Sequence, residues 1–456
     1  MSSLNASLAT ALSGLTAEQG ALQTTTNNVA NVNTPGYSRQ VPVLVSSDPL
    51  VLDPLTFGTG VTLQSIESIR DPILEARIQQ ETQTQGQLGA LVSALSQAQV
   101  GFTSTNGDIG TAISNFFDSL NQLSTSPADL SLRQGVLTSA GNLASAFNVT
   151  ADNLTTQRGD IDRNVQQTVS QINQLTQQIA QLNLQISNLE GVGESAGSFI
   201  DQRTELIDQL SSLVDVNVIP TDNTLTLTTA NGTALVSGSQ SFQLSTQPDP
   251  TGLQRIYAQG KDITSGIVSG QLGGELQARD QQIPALQSQL DTLAAGLANS
   301  FNTAQAGGFD LNGNAGTPLF NPPPAGGTGA ASSLAVAITD PALLAASSDG
   351  TVGSNGNVEA MYALRNQGII QGQTPTVYYS GIVFNVGTAS ANANAEQNAS
   401  SLVLQQLNDQ RASISGVSLD QEAANLVQFQ QAYAASAQVV STINSMMQTV
   451  INMKTS

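Results

Sequence analysis

Residues Ile161–Glu190, IDRNVQQTVSQINQLTQQIAQLNLQISNLE, carry the clearest structural signal in this sequence. Apolar side chains and one threonine recur there in alternating steps of four and three, at Ile161, Val165, Thr168, Ile172, Leu175, Ile179, Leu182, Ile186 and Leu189. This spacing repeats for about four heptads and predicts a long helix with one buried face. Gly191 and Gly193 follow the last repeat and predict the end of the helix.

Helical spacing also flanks this stretch. It is found from about Ile69 to Phe147, with breaks at Gly101–Gly110 and Ser126-Pro127, and again in Phe199–Val214. These segments predict helices that pack with the long one as an antiparallel bundle. A further helix is predicted around Gly273–Phe301, where the internal Pro284 either kinks the helix or marks a junction.

Between Val216 and Ile267 the period changes from helical to alternating. The alternating triplets are Val216-Asn217-Val218, Leu225-Thr226-Leu227 and Phe242-Gln243-Leu244. Asn231-Gly232 is typical of a hairpin turn, so this stretch predicts a small antiparallel β domain inserted in the helical part. Val41, Val43 and Val45 also alternate and predict a strand, and Val377-Tyr378-Tyr379 is interpreted as β-prone before a helix from about Ser390.

Both ends of the chain carry apolar stripes with seven-residue spacing. The N-terminal stripe is Leu8, Leu15, Leu22 and Val29, and the C-terminal one is Leu419, Leu426, Tyr433, Val440 and Met447, with Ala423, Phe429 and Ile443 beside it. One interpretation is that each helix packs on its own globular core. The other is that the helices meet neighbouring subunits, because their polar faces are uncharged and can be buried at little desolvation cost.

Composition excludes several classes of chemistry. The 456 residues include no His and no Cys, which excludes a Ser-His-Asp triad, a thiol nucleophile and a zinc-thiolate site. The net charge of −20 repels phosphate backbones, so nucleic-acid binding is not expected. No apolar run approaches the roughly 18 residues needed to cross a bilayer, and the first thirty residues do not resemble a cleavable signal peptide.

Three stretches resemble chemical sites only in part. Asp310-Leu311-Asn312-Gly313-Asn314 begins like a calcium loop, but Ala315 and Asn321 occupy positions that need Gly and Glu, so we interpret it as an Asn-Gly turn. Gly326–Gly329 lacks the lysine of a phosphate loop and is interpreted as linker. Acidic pairs such as Asp280 with Asp291 have no spacing that indicates a glycosidase. No catalytic residue, metal ligand or cofactor site is predicted.

The stretch Asn27–Arg39, NNVANVNTPGYSR, is the most specific local pattern. Its asparagines can cap a helix or adopt left-handed backbone, and Pro35-Gly36 enforces a turn. Tyr37 is then expected to anchor the turn on a hydrophobic surface. An ordinary helix end explains the Pro-Gly pair but not the whole string.

This string resembles the N-terminal signature of the bacterial flagellar axial proteins, through Asn28, Ala30, Asn31, Asn33, Thr34, Pro35, Gly36, Tyr37 and Arg39. Other stretches narrow the resemblance to the flagellar hook-associated protein 1 family: Asp201–Arg203 with Leu206–Leu210, Gly273–Leu276 with Arg279, Asp280 and Pro284, Phe301-Asn302 with Gly308–Gly313 and Pro318–Phe320, and Ser415–Leu426 with Phe429–Tyr433. The resemblance covers nearly the whole chain.

The resemblance implies a structural protein without enzymatic activity. Its implied partners are copies of itself in a ring, the hook protein, the second hook–filament junction protein and a flagellar export chaperone, with no nucleic acid and no membrane insertion. It implies export through the flagellar type III apparatus, from the cytoplasm to the hook–filament junction outside the cell. Alternatives are another axial protein of hook or rod type, or a secreted carbohydrate-active enzyme or adhesin.

The implied site residues follow the terminal stripes. Leu8, Leu15, Leu22 and Val29 are expected to form an N-terminal assembly helix, and Leu419, Ala423, Leu426, Phe429, Tyr433, Val440, Ile443 and Met447 a C-terminal assembly and chaperone-binding helix. The expected fold is mainly α with inserted β, and the terminal helices pair as a coiled-coil-like axial domain. The expected domains are residues 1–60 with 410–456 (axial helices), 61–215 with 271–306 (helical bundle), 216–270 (inserted β domain), and 307–409 (linker, reduced outer segment and return helix).

Overall fold

The computed structural model describes residues 2–52, 55–103, 108–221 and 224–455, and helices dominate them. The helices are α1 Ser2–Ala30, α2 Pro72–Thr103, α3 Ile109–Thr125, α4 Leu130–Gly191, α5 Gly197–Leu213, α6 Gly270–Gln277, α7 Ile283–Ala306, α8 Gly356–Ala363, α9 Pro375–Ser415 and α10 Leu419–Thr455. The strands are β1 Gln40–Ser46, β2 Leu50–Leu52, β3 Leu55–Phe57, β4 Val61–Ser68, β5 Asn217–Thr221, β6 Thr224–Thr228, β7 Ala234–Ser237, β8 Gln240–Ser241, β9 Leu244–Pro248, β10 Gln254–Ala258 and β11 Lys261–Asp262. This mainly α fold with small antiparallel sheets confirms the predicted fold class.

Helix α4 contains the predicted heptad repeat. The helix is 62 residues long and begins well before the repeat. Asp129 caps its start, because one side-chain oxygen accepts the backbone N–H groups of Ser131 and Leu132. The helix ends at Gly191, where the chain turns, as the two glycines predicted. Its buried face runs the length of the helix and contributes to two hydrophobic cores. One core is shared with α3 and α7, and the other with α5 and the strands of the inserted β region.

Helices α2 and α9 lie antiparallel along most of their length. The Ser96 and Ser390 hydroxyls are 3.3 Å apart, and Arg411 lies 3.6 Å from Glu75 at the other end of the pair. Four phenylalanine rings fill the core beside this pair, with Phe116 and Phe301 centroids 4.8 Å apart. The bundle therefore has a close-packed aromatic centre between α3 and α7.

Residues 307–374 pack against the helical core. Phe320 is fully buried in that core, and its backbone exchanges two hydrogen bonds of 2.9 Å with the Asn302 side chain of α7. Arg133 of α4 is also buried and donates to the Leu344 carbonyl. The domain boundaries drawn from the sequence stay a prediction, but this segment is held on the bundle at several points.

The inserted β region forms two small sheets. One has the order β5-β6-β7-β8 and the other β11-β10-β9, with antiparallel pairing throughout. Asn231-Gly232 makes the predicted turn, with Gly232 at φ +83. Phe242-Gln243-Leu244 is not one strand as predicted, because the Asn173 side chain of α4 bonds both the N–H and C=O of Leu244 at 2.8 Å and turns the chain onto the second sheet.

The structure decides two other predictions, on the start of the return helix and on the region around Pro284. Val377-Tyr378-Tyr379 is helical, so the β interpretation is wrong and the return helix begins at Pro375, not near Ser390. The Thr374 hydroxyl caps the first turn and Tyr379 is buried there, with its hydroxyl donating to the Phe102 carbonyl at 2.8 Å. Around Pro284 the chain makes a junction, because a π-helical turn, Ala278–Gln282, separates α6 from α7.

Helix α1 packs on the ribbon made by β1 and β4. Leu63 of β4 lies against Gly20, where an added methyl group would be 2.6 Å from the Leu63 Cδ2 atom, and the Ser13 hydroxyl accepts the Val61 N–H at 3.4 Å. The ribbon thus connects α1 to the start of α2. Among the described residues, no helix is long and apolar enough to span a bilayer.

Candidate functional site

The two ends of the chain pack together as an antiparallel helix pair. Asn28, near the end of α1, contacts Glu422 in the first turn of α10, and Gly14 faces Ser436 farther along. A methyl group at Gly14 would lie 3.5 Å from the Ser436 hydroxyl oxygen. The described parts of the fold therefore include the predicted pairing of terminal helices.

The buried face of α1 is made of small and polar residues rather than of the leucine stripe. Its buried positions are Ala11, Ala17, Ala21, Thr24, Thr25 and Asn28. Leu8, Leu15 and Leu22 are half-buried beside this face, and Val29 remains 38 % exposed. Small side chains let the partner helix and the β ribbon approach the α1 backbone closely.

The C-terminal stripe divides between packed and exposed positions. Leu426, Phe429, Tyr433, Val440 and Met447 are half-buried and Ile443 is buried, and they share a helix face with Glu422. Leu419 is 53 % exposed, and Ala423 is exposed as well. The predicted face is thus largely the face that meets α1; in its first turn Glu422 makes that contact, while Leu419 and Ala423 are exposed beside it.

The signature stretch forms a compact turn after α1. Asn31 continues the last helical turn, with its N–H donating to the Asn27 carbonyl at 3.1 Å, and the Thr34 N–H donates to the Asn31 carbonyl at 2.9 Å. Gly36 has φ +75, which a side chain would strain, and the Tyr37 N–H then reaches back to the Thr34 carbonyl. Ala30, Asn33, Thr34 and Pro35 are exposed on the outside of the turn.

Asn28 is the centre of the hydrogen-bond network under this turn. It is 1 % exposed. Its side-chain oxygen accepts the Tyr37 hydroxyl and the Gln40 N–H, both at 2.9 Å, while its amide donates to the Gln40 carbonyl at 2.8 Å. The same amide donates to Glu422 at 3.2 Å. One buried side chain therefore connects the turn, strand β1 and helix α10.

Glu422 completes the connection to the C-terminal helix. It is 1 % exposed, and its other oxygen accepts Arg39 Nε at 2.9 Å. The Arg39 N–H also donates to the carbonyl of Ser415, the last residue of α9, at 2.8 Å. Arg39 thus contacts both sides of the joint between α9 and α10, which lies at Ser415-Gly416 as the sequence predicted.

A second ion pair connects the turn to the bundle. Asp201 of α5 accepts the Ser38 N–H at 3.3 Å, and it pairs with Arg70 at 2.6 Å. Arg70 also donates to the Ser38 hydroxyl and to the Gly197 carbonyl. The signature turn is therefore attached to α5 on one side and to α10 on the other.

The signature turn forms one wall of a cleft of about 610 Å³ whose other wall is α4 and α5. It is lined by Asn27, Asn31, Thr34, Pro35, Tyr37, Gln178, Gln181, Leu182, Gln185, Ser198, Asp201, Gln202, Glu205 and Leu206. Burial, followed by the charges of Asp201 and Glu422, raises the pKa of Tyr37 to about 12. Carboxamides predominate in this lining, so the cleft can donate to and accept from a polypeptide without a charged partner.

A cluster of charged groups lies below the turn, where α2, α5 and α9 meet. One Arg411 nitrogen lies 3.4 Å from Asp208 and 3.6 Å from Glu75. Burial, followed by the charge of Glu75, raises the pKa of Asp208 to about 7, and Arg411 opposes both effects. Burial also raises the pKa of Glu75. A single guanidinium therefore serves two half-buried carboxylates.

The stretches that resembled chemical sites have structural roles here. Asp310 uses one oxygen to accept the N–H groups of Asn312 and Asn314, which closes the predicted Asn-Gly turn. Asp291 accepts the N–H groups of Gly329 and Ala331, so the glycine string bonds a carboxylate of its own chain. Within the described ranges, no group of three or more acidic side chains could hold a metal ion.

Sequence reasoning missed Glu422 and Asp201 as members of this site. Glu422 did carry a signal, because it is an acidic residue on the apolar face of α10 in a chain with only 10 % charged residues. A lone charge on such a face predicts a buried partner. Asp201 has no comparable signal, since its partners Ser38 and Arg70 lie just before β1 and just before α2, far away in sequence.

Three protein-family models match the sequence. The model described as "Flagellar hook-associated protein FlgK helical domain" matches residues 95–320. "Flagella basal body rod protein" matches residues 8–37, and "Flagellar basal body rod FlgEFG protein C-terminal" matches residues 409–453. The last two matches cover most of α1, part of the signature turn, and α10.

Curated relatives match along the whole chain. Flagellar hook-associated protein 1 of Bacillus subtilis (strain 168) is 30 % identical, and the alignment covers 99 % of both chains. Flagellar hook-associated protein 1 of Escherichia coli (strain K12) is 28 % identical, with 97 % of this chain and 99 % of that one covered. The solved structure of the flagellar hook junction protein FlgK from Burkholderia pseudomallei has a similar fold, with TM-score 0.68 at 18 % identity over 74 % of this chain and all of that one.

Proposed function

The chain belongs to the flagellar hook-associated protein 1 family, and we propose that copies of it form the ring that joins the flagellar hook to the filament. Membership in this family confirms that the protein is a structural component of the flagellum and not an enzyme. It associates with other axial components of that organelle. Its neighbours in the proposed junction are the hook protein on one side and the second hook–filament junction protein on the other.

The observation that carries this proposal is the unit formed by the two ends of the chain. Helices α1 and α10 pair, and the signature turn attaches them through Asn28, Glu422 and Arg39. The ion pair of Asp201 with Arg70 also attaches the signature turn to α5. A force applied to the terminal helices is therefore transmitted to the bundle through buried hydrogen bonds, as a junction requires.

The outward faces of the terminal pair support contacts with other subunits. Large apolar side chains remain exposed there, among them Leu12, Leu419, Val427, Val439 and Met446. These positions surround a pair whose polar residues are nearly all uncharged. Packing of further helices on both faces would bury them at little desolvation cost, which suits a tube of repeated terminal pairs.

Export is the second part of the proposal. Ring assembly outside the cell requires passage through the flagellar type III apparatus as an unfolded chain, after a stage in the cytoplasm. An export chaperone would cover the α10 face of Leu426, Tyr433 and Val440, because that face is left without α1 when the chain is unfolded. The same face later packs on α1, so chaperone binding and folding compete.

The position of the protein in the organelle tests the proposal. A version with a small epitope in the exposed Gln259-Gly260 turn between β10 and β11 would be labelled with gold in isolated flagella and imaged by electron microscopy. Label confined to the boundary between hook and filament supports a junction. Label along the hook or in the rod would instead assign the chain to another axial class.

A further inference from the structure

The distal half of α4 carries an uncharged ridge of carboxamides on its outer face. No charged residue occurs in the sequence between Arg163 and Glu190. The ridge consists of Asn164, Gln167, Gln171, Gln174, Gln178, Gln181, Gln185 and Asn188, all of them exposed. Any helix face recurs in steps of three and four residues; the unusual property here is that eight successive positions are all Asn or Gln. We name this face the α4 amide ridge.

Helix α9 has a second uncharged face, directed away from α2. It consists of Phe384, Thr388, Ala391, Ala395, Asn398, Leu402 and Gln405, all of them exposed. Phe384 is 70 % exposed and Leu402 68 %, and the only charged residue between Pro375 and Asn408 is Glu396. We name this face the α9 stripe. The side chains of Phe384 and Leu402 are therefore available for apolar contact with another molecule.

The two faces lie on different sides of the bundle. Helix α4 packs on α5, α5 packs on α2, and α2 packs on α9, while each face is opposite the buried side of its own helix. The amide ridge spans about 36 Å and the stripe about 32 Å at 1.5 Å per residue. Two different faces of similar length on one molecule allow head-to-tail contact, which closes into a ring if the rotation between copies closes.

We propose that the α9 stripe of one copy packs on the α4 amide ridge of the next copy in the ring. This inference rests on the proposed function, and it names the surfaces through which neighbouring copies meet. Each copy carries a net charge of −20, so copies repel one another except where uncharged faces meet. Carboxamides of the ridge can donate to and accept from the amides and hydroxyls beside the stripe, and Phe384 and Leu402 supply apolar contact.

The size of the contact favours a second copy within an assembly over a stable dimer in solution. A helix face about 35 Å long and about 10 Å wide buries about 700 Å² in total. Stable protein interfaces bury about 1,200–2,000 Å². A contact of this size leaves the exported chain monomeric and contributes only after the terminal helices have fixed each copy in the ring.

The C-terminal end of the α4 amide ridge adjoins the signature turn. Gln178, Gln181 and Gln185 line the cleft whose other wall is the signature turn. The C-terminal end of the α9 stripe leads through Ser415-Gly416, which contacts Arg39 of the signature stretch, into α10. Both faces therefore belong to helices that the terminal unit already positions, so lateral contact requires no independent domain.

Cross-linking tests this directly, because the natural chain contains no cysteine. Gln174→Cys and Ala395→Cys place one thiol near the middle of each face, so the pair is insensitive to whether the helices run parallel or antiparallel. Flagella carrying both substitutions would be treated with a short thiol–thiol cross-linker and analysed by denaturing electrophoresis. The proposal predicts a ladder of dimers, trimers and larger products.

Each single variant is a control and is expected to give no ladder. Dimers from Ala395→Cys alone would show that stripe meets stripe and would overturn the proposal. The same flagella would be labelled for the protein at the hook–filament boundary. Protein present there without a ladder contradicts the amide-ridge contact but leaves the junction function intact, whereas protein absent from the boundary contradicts both.

A charge substitution gives a second test that does not depend on thiol geometry. Gln167→Glu combined with Gln174→Glu puts two charges on the ridge outside the cleft, and Thr138→Glu combined with Ser145→Glu puts two on the exposed face of the proximal half of α4. Purified chains of both variants are expected to melt like the natural chain. The ridge variant is expected to reduce swimming at least several-fold and the control to leave it unchanged; equal swimming of the two would overturn the proposal.

Discussion

Glu422, 394 positions after Asn28 in the chain, accepts a hydrogen bond from the buried Asn28 amide at 3.2 Å. The two residues belong to the first and the last helix, and Arg39 binds the other oxygen of the same carboxylate at 2.9 Å. This contact explains how the ends of a 456-residue chain act as one unit. Glu422 is therefore a position where substitution should affect the terminal pair directly.

Replacement of this carboxylate is expected to loosen α10 without unfolding the bundle. Glu422→Ala leaves the Asn28 amide and the Arg39 guanidinium without their shared acceptor, at a cost of about 2–4 kcal/mol. Hydrogen exchange across α10 should accelerate strongly while exchange in α4 stays slow. Glu396→Ala, at an exposed acid of α9, is the matched control. Unchanged protection of α10 in Glu422→Ala would contradict the assigned role.

The shared guanidinium of Arg411 predicts a dependence of stability on pH. Asp208 faces Glu75 and Glu205 as well as Arg411, and its pKa is about 7 in the folded protein against an ordinary value of 3.8. Between about pH 4 and 7 the folded chain therefore binds a proton that the unfolded chain releases. The free energy of unfolding must then fall as the pH rises through this window.

Asp208→Asn should remove much of that pH dependence. The variant keeps the shape of the side chain but has no charge to bury beside Glu75, so its stability should fall less between pH 4 and 7. Urea denaturation at a series of pH values measures this. Asp409→Asn, at an exposed acid, is expected to behave like the natural chain. A natural chain whose stability rises over this range would show that the cluster is not protonated as described.

The structure of the Asp310 turn predicts that calcium does not change the stability of the protein. The Asp310 carboxylate already accepts two backbone N–H groups at 2.8 and 2.9 Å, so the loop is closed without a metal ion. Asp310→Ala is expected to lower the free energy of unfolding by about 1–2 kcal/mol, and calcium is expected to leave the melting temperature of both chains unchanged. A calcium-dependent increase in melting temperature that disappears in Asp310→Ala would refute this.

Two charges placed on the packed face of α10 are expected to impair both swimming and chaperone binding. Leu426→Asp with Val440→Asp puts carboxylates where α10 meets α1, and each is expected to cost about 2–4 kcal/mol of local stability. Swimming and capture of a chaperone from a strain that makes it should both be lost, while the bundle of α2–α9 melts normally. Substitution of Asp for the exposed Ala424 and Gln438 is the control. Loss of the bundle transition itself would mean that α10 belongs to the ordinary core.

Much of the fold can be predicted from the periodicity of apolar residues in the sequence. The a/d spacing of Ile161–Leu189 identifies α4, the change of period at Val216 identifies the β region, and Ser415-Gly416 identifies the last joint. The start of α9 was missed because aromatic and β-branched residues at Val377–Tyr379 favour strands locally. Thr374-Pro375 is a helix-start pattern that could have corrected this, since a capping hydroxyl followed by proline at the first position suits a helix.

The site was less accessible from sequence than the fold. The signature stretch could be found because its turn chemistry is local, from Asn31 to Gly36. Its partners could not, because Glu422, Ser415 and Asp201 approach it only through the packing of α10, α9 and α5. On α1, small residues form the most buried face, so the role of the leucine stripe as an assembly surface stays a prediction.

The central claim is that this chain connects hook to filament, and deletion of its gene tests it most directly. Electron microscopy of the deletion strain should show intact hooks that carry no filaments, and the natural chain supplied in trans should restore filaments. The Glu422→Ala chain should restore fewer, or filaments that detach under shear. Filaments still attached to hooks in the deletion strain would contradict the account.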